Sequence, residues 1–191
     1  MTTNNHLPNR QSNRMPQYNY QRPGYYYLTI CTQGRHHAFG EILDAQMHLS
    51  REGQISEQVW LSLPERFTNV AIDATVFMPN HMHGILVIKK PPVLVETSTI
   101  PERFKAHMQN LEEERLTTRP EAYSLPSLSE IVRTFKAAST RLIRKNGSPS
   151  FAWQQNYWLT VLLTKEELKP IRQYIHENPA NWENDELYTL K

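Results

Sequence analysis

Two pairs of residues have the types and spacing to do chemistry. The first is His81 and His83 in MPNHMHGILVI, residues 78–88, where two imidazoles stand one residue apart at the start of an apolar run. Side chains alternate faces along a strand, so both rings point the same way and their neutral nitrogens suit a shared divalent metal. Two polar strand-end residues would show the same spacing. The second pair is Tyr174 and Asn178 in YIHENP, residues 174–179. At i and i+4 they lie on one helix face, one turn apart. A phenol becomes a nucleophile toward phosphate when a nearby cation polarises that phosphate and favours phenolate. The Asn178 carbonyl oxygen is a hard ligand that suits Mg²⁺ or Mn²⁺ beside two imidazoles. Taken alone, this pair also reads as a packed tyrosine and an asparagine C-cap. Gly84, just after His83, lacks a side chain and leaves space for a ligand to approach the backbone. His176 falls about 200° round the helix from Tyr174 and points away from it.

The surrounding pattern says which elements must hold these groups. YYYLTICTQ, residues 25–33, has strand composition, and residues 38–43 are expected to pair with it after a turn around Gly34. Ser50 caps a helix with Ile55, Val59 and Leu63 at helical spacing, ended or bent by Pro64. VAIDATVFMP and HMHGILVIKK form an antiparallel hairpin about Pro79-Asn80. Residues 91–126 carry five prolines and the run Glu112-Glu113-Glu114, which marks an insertion. Ser127 or Ser129 caps the next helix, which stops at Asn146-Gly147 and buries Leu128, Ile131, Val132, Phe135, Ala138, Leu142 and Ile143. Its other surface holds Arg133, Lys136, Thr140, Arg141, Arg144 and Lys145. Cations toward a helix C-terminus complement its dipole, and they equally suit a phosphate backbone. FAWQQNYWLTVLL, residues 151–163, reads as a turn into a buried strand. Thr164 and Glu167 make a capping-box pair, and Pro170 either kinks that helix or begins the main one. The order β-β-α-β-β-(insert)-α-β-α is an α+β layout with helices on an antiparallel sheet.

At 191 residues the chain fits one domain, expected over 23–182 and flanked by a basic arm (1–22) and a tail (183–191). Net charge is +2, but Arg10, Arg14, Arg22 and Arg35 all precede the first acidic residue, Glu41. Such an arm lies on phosphates or is a solvated tail. Cys31 is the single cysteine, which excludes an intrachain disulfide and cysteine-based zinc sites. No apolar run nears the roughly 20 residues of a membrane span, and the N-terminus lacks a signal-peptide core. A cytoplasmic protein without membrane contact is expected. Trp153, Trp158 and Trp182 either stack on bases or pack in the core. His36-His37 is expected in a solvated turn.

Taken in order, MPNHMHG, WQQNYW and YIHENPANW, with PGYYYLTICTQ and FGEI near the front, resemble the HUH single-tyrosine transposases, and within them the REP-associated tyrosine transposases. The likeness runs from about Tyr18 to Trp182, apart from the insertion. It implies a ferredoxin-like antiparallel sheet with helices packed on one face, the histidines on a central strand and the tyrosine on a C-terminal helix facing them. By that resemblance His81, His83 and Asn178 ligate Mg or Mn, and Tyr174 is the nucleophile. The implied partner is single-stranded or hairpin DNA, cleaved near hairpins through a 5′-phosphotyrosine link with a free 3′-hydroxyl. Arg133, Lys136, Arg141, Arg144 and Lys145, with Arg14 and Arg22, are candidate DNA contacts. The family includes monomers and homodimers that exchange the tyrosine helix. One departure stands out: Leu159-Thr160-Val161-Leu162-Leu163 occupy positions where the family usually has polar groups, which predicts altered or weakened cleavage. Two other readings remain open. One is a hairpin DNA-binding protein without turnover; the other is a metal-dependent phosphoesterase using activated water.

Overall fold

The structure, a computed structural model, describes residues 19–90 and 126–189. The arm up to residue 18 with Arg14, the insertion at 91–125 and residues 190–191 lie outside the described residues. The strands are β1 (Gly24–Cys31), β2 (Gly40–Leu43), β3 (Gln46–Leu49), β4 (Val70–Met78), β5 (His81–Ile88) and β6 (Trp158–Leu162). The helices are α1 (Arg51–Leu61), α2 (Leu63–Arg66), α3 (Leu128–Lys145) and α4 (Lys165–Glu177), followed by a 3-10 turn over Pro179–Asn184. Four strands form one antiparallel sheet in the order β4-β5-β1-β6. With the β2–β3 hairpin set aside, the path is βαββαβ, the ferredoxin-like α+β arrangement that the sequence suggests.

Alternation along β1 divides the sheet into two faces. Tyr26, Leu28 and Ile30 join Met82, Leu86 and Ile88 of β5 under Trp60 of α1 and Leu128, Ile131, Val132 and Phe135 of α3. Tyr25 and Tyr27 point the other way, with Ile85 and Leu162, toward Leu168, Ile171 and Ile175 of α4. Helices α1 and α3 thus share one face, and α4 lies over the opposite one. A bulge at Asp73 sits between the pairs Ile72–Leu86 and Ala74–Ile85. Beyond it Val76 pairs with His83 on the α4 face, while Thr75 pairs with Gly84 on the other.

Local signals explain most element boundaries. Ser50 Oγ accepts from Gly53 N, and Ser127 rather than Ser129 caps α3 by accepting from Glu130 N. Gly147 follows α3 at φ +113°, a conformation that favours glycine. Thr164 and Glu167 make both bonds of the capping box, so α4 begins at Lys165 and continues past Pro170 to Glu177. Because the box fixes the start, the proline sits inside the helix, where it lacks the N–H for one backbone bond.

Three expectations need correction. Residues 38–43 do not pair with β1; β2 pairs with β3, Gly40 to Leu49 and Leu43 to Gln46. Asp44 and Ala45 have φ of 49° and 60°, the left-handed pair of a tight hairpin turn, so the chain folds back on itself at once. The strand after Trp153 is not buried on both sides: β6 is an edge, and its residues alternate between exposed and half-buried until Leu162. Gly84 does not open space for a ligand. A Cβ there would come within 2.8 Å of Trp60 Cζ2, on the face away from the histidines, so the missing side chain lets Trp60 lie flat on the sheet.

Candidate metal and tyrosine site

His81 and His83 leave β5 on the α4 face, separated by Met82, which packs in the opposite core. Both are enclosed, at 0% and 3% exposure. Their Nε2 atoms lie 3.0 Å apart. Burial pushes the His81 imidazole from 6.5 down to about 3, with the neighbouring His83 adding to the shift. Burial also lowers His83, against the pull of Asp185. Both rings are therefore neutral, the form that ligates metals.

Their outer nitrogens are held by protein groups, which fixes one tautomer. Asn80 Nδ2 donates to the Leu187 carbonyl (2.9 Å), an acceptor only, so Asn80 Oδ1 must be the atom facing His81 Nδ1 at 2.8 Å. His81 Nδ1 thus carries the proton and its Nε2 offers a bare lone pair. His83 Nδ1 meets the hydroxyls of Tyr27 and Thr29, each at 2.8 Å, and either can donate or accept. His83 can place its proton on Nε2, toward His81, or on Nδ1 when its Nε2 is needed as a ligand. Such outer bonds aim metal-ligating histidines.

Opposite stand residues from α4 and the turn after it. Tyr174 Oη is 3.4 Å from His83 Nε2 and donates to Asp185 Oδ2 at 3.0 Å. Asn178 Nδ2 donates to the same oxygen at 2.9 Å. Asp185 Oδ2 lies 4.0 Å from His81 Nε2 and 3.9 Å from His83 Nε2. Burial alone would raise this carboxyl, but the neighbouring His83, hydrogen bonds from Asn178 and Leu187 N, and the nearby His81 hold it below the usual carboxylate range. Tyr174 is raised above an ordinary phenol by burial and then by the Asp185 charge. The structure brings His81, His83, Tyr174 and Asn178 together, and adds Asp185. The sequence reading missed Asp185 because it lies in a segment taken as a tail. The 3-10 turn over Pro179–Asn184 reverses the chain and returns it to the histidines, and no local spacing announces that contact.

The donor set fits a divalent cation. His81, His83 and Asp185 offer ligand atoms that all lie within 4.8 Å of one another. Among the described residues Asn178 Oδ1 is buried with no hydrogen-bond partner, a cost unless something is bound there. Two imidazoles, a carboxylate and an amide oxygen make a mixed set that accommodates a hard or borderline divalent ion.

The remaining candidates separate by position. His176 is exposed, and so is His36, whereas His37 packs edge-on to Trp182 (6.0 Å) and meets Thr189 Oγ1 at 3.0 Å. Trp153 and Trp182 are buried; Trp158 is 42% exposed. In the stretch that departs from the resemblance, Leu159 and Val161 pair with Leu28 and Tyr26 and pack on the α1–α3 side. The apolar groups at those two positions therefore lie away from the histidines. Arg133, Arg141 and Arg144 line a groove of about 770 Å³ between α3 and residues 152–157. Lys136 also lines it, but its ammonium donates to the carbonyls of Gln154 (2.8 Å), Gln155 (3.4 Å) and Asn156 (3.2 Å), fixing that loop. Lys145 is exposed outside the groove. Arg22 is exposed just before β1, whose first residue pairs with Ile88 and whose last pairs with His81, so it sits at the far end of the sheet from the histidines.

No helix among the described residues is long and apolar enough to cross a membrane. No family model matches the chain. Among solved structures, a REP-associated tyrosine transposase bound to a REP hairpin is similar over 88% of this chain and 73% of its own, with a TM-score of 0.55 at 17% identity. At that identity the likeness shows a shared, transposase-like fold. An uncharacterized protein of Haemophilus influenzae (strain Rd) is 35% identical over 190 residues, 98% of this chain and 99% of that protein. Similarity of that extent places the two in one family, and the chain is a member of the family of this Haemophilus influenzae protein.

Proposed function

We propose that the protein is a metal-dependent single-stranded DNA endonuclease and strand transferase that acts near hairpins through Tyr174. One observation carries this reading: the Tyr174 hydroxyl lies 3.4 Å from a histidine 91 residues earlier, with the same carboxylate beside both. A nucleophile and a ligand set supplied by distant elements meet at one point. His81, His83 and Asp185, with the Asn178 amide oxygen, would hold Mg²⁺ or Mn²⁺. The cation supplies charge neutralisation at the scissile phosphate and at Asp185, the anion that now helps keep the phenol protonated.

Tyr174 orients its oxygen by donating to Asp185 and gives up its proton along that bond. A Tyr–O–P bond forms, the P–O3′ bond breaks, and the proton that passed to Asp185 goes on to the departing 3′-oxygen, which leaves as a hydroxyl. The 5′-phosphotyrosine keeps the energy of a phosphodiester, so a 3′-hydroxyl on another strand reverses the step without ATP. One chain supplies both halves of the site, so a homodimer is not needed to complete it.

Purified protein with Mn²⁺ is expected to form a covalent adduct with a hairpin-flanked single strand, and Tyr174→Phe to form none. Cleavage that survives Tyr174→Phe would instead assign the chemistry to activated water. A second reading has its own support. Both histidines are enclosed and Asp185 occupies the nucleophile's hydrogen bond, which suits a hairpin-binding protein with weakened turnover. Tight hairpin binding without an adduct would favour it.

A further inference from the structure

We propose that the β6 edge carries a DNA strand from the basic groove on α3 to the histidine site, with one base stacked on Trp158. The proposal rests on the transferase reading for its substrate and adds the path that substrate takes.

Register places the tryptophan. Trp158 pairs with Thr29, and Thr29 pairs with His83, so the three side chains form a row across β6, β1 and β5 on one face. Thr29 Oγ1 touches His83 Nδ1 at 2.8 Å, which fixes that face as the histidine face. At strand spacings of about 4.8 Å, Trp158 stands roughly 10 Å from His83, in line with it. α4 covers this face at the opposite end of β6, where Leu162 is buried, and leaves Trp158 exposed. An exposed tryptophan on an edge strand is a stacking platform open from one side.

The residue before it faces the other way. Tyr157 lines the α3 groove with its ring under the Lys136 ammonium, 5.5 Å from the centroid. Adjacent residues of β6 and its lead-in thus mark two faces, and the edge between them is the short route from one to the other. Arg133, Arg141 and Arg144 line the groove, and among the described residues no Asp or Glu lines it. A single-sign wall of guanidinium groups suits a phosphate backbone. A lone exposed aromatic is ordinary; one placed between an acid-free arginine groove and a nucleophile defines a track. Stacking tolerates any base, so the track fixes strand position and direction, leaving sequence recognition to other contacts.

The test measures binding in the Tyr174→Phe background without metal, using a fluorescein-labelled DNA hairpin with an oligothymidylate flank and the same hairpin lacking the flank. Trp158→Ala is expected to weaken binding of the flanked hairpin about fivefold to a hundredfold. Trp158→Phe should restore most of that loss, and the unflanked hairpin should not distinguish the variants. Arg133→Gln with Arg141→Gln should flatten the dependence of log K on log salt by about 1.4 to 1.8, the share of two phosphates. Equal binding of the flanked hairpin by Trp158→Ala and the parent overturns the track, as does an unchanged salt slope in the arginine variant. Adduct formation by the protein with Tyr174 intact is scored separately. A Trp158 effect with no tyrosine adduct leaves the track standing and ends the nucleophile reading, whereas an adduct with no Trp158 effect does the reverse.

Discussion

The two faces of the sheet are built from the same strands and solve different problems. Under α1 and α3, aromatic side chains close on one another: Trp60 against Phe135 at 5.2 Å, Phe135 against Trp153 at 5.1 Å, Phe39 against Phe77 at 5.6 Å. Some polar atoms there are matched in pairs, as where Trp60 Nε1 donates to Thr75 and Trp153 Nε1 to Ser139, while Ser56 Oγ of α1 is buried with no hydrogen-bond partner among the described residues. Under α4 the apolar cluster is small, and the enclosed groups beyond it are imidazole, amide and carboxylate. One face stores stability; the other holds neutral bases and an unpartnered oxygen in low-dielectric surroundings and is, by the same measure, the weaker half.

The contrast predicts where each face breaks. Trp60→Ala should remove about 3–5 kcal/mol, read as a fall in the urea midpoint, because it empties the main core and leaves Gly84 uncovered. Acid should act on the other face. Folding lowers the His81 proton affinity from 6.5 to about 3. Between those values the unfolded chain binds a proton that the folded chain refuses, so stability is full above 6.5 and is lost as pH falls through the window. The slope is about 1.4 kcal/mol per pH unit for one such group. Urea melts of metal-free protein at several pH values check this, and His81→Phe should flatten the profile. Asn80→Ala should lower Mn²⁺ affinity about tenfold to a hundredfold in calorimetric titration, since it frees the His81 tautomer. An unchanged affinity would mean that Asn80 only ties the C-terminal segment. Smallest is Arg172→Ala, which removes a two-pronged pair with Asp73 at 2.6 Å for each bond. Solvent screens this exposed pair, and only a small shift in the urea midpoint is expected.

Legibility in the sequence followed the same division. Periodicity finds α1, α3, β4 and β5, because each pattern reports burial against one continuous apolar face. It also draws attention to His81, His83, Tyr174 and Asn178, since i+2 on a strand and i+4 on a helix are local relations. Asp185 is invisible to such reasoning: it reaches the site through a chain reversal set by Trp182 packing near His81 (5.9 Å) and by Asn80 gripping Leu187. Gly84 was read from its neighbour His83, yet alternation puts the two on opposite faces, so its reason is Trp60. The β2–β3 hairpin eluded the reading because Asp44-Ala45 lacks the glycine that usually announces a two-residue turn.

The bulge at Asp73 sets the parity of β4. Ahead of it the even-numbered residues Val70 and Ile72 face the main core; after it the odd-numbered Thr75 and Phe77 do, and Val76 changes sides to stand beside His83. One strand thereby serves two walls without having to alternate perfectly for either. Pairing Asp73 regularly with Ile85, without the bulge, would restore the simple alternation and turn everything downstream over. Val76 would then point into the core, and Thr75 would take its place at the histidines. The unpaired residue acts as a phase shifter, and Arg172 of α4 is clipped to its side chain, so the helix bearing the tyrosine is anchored at the point where the strand changes phase.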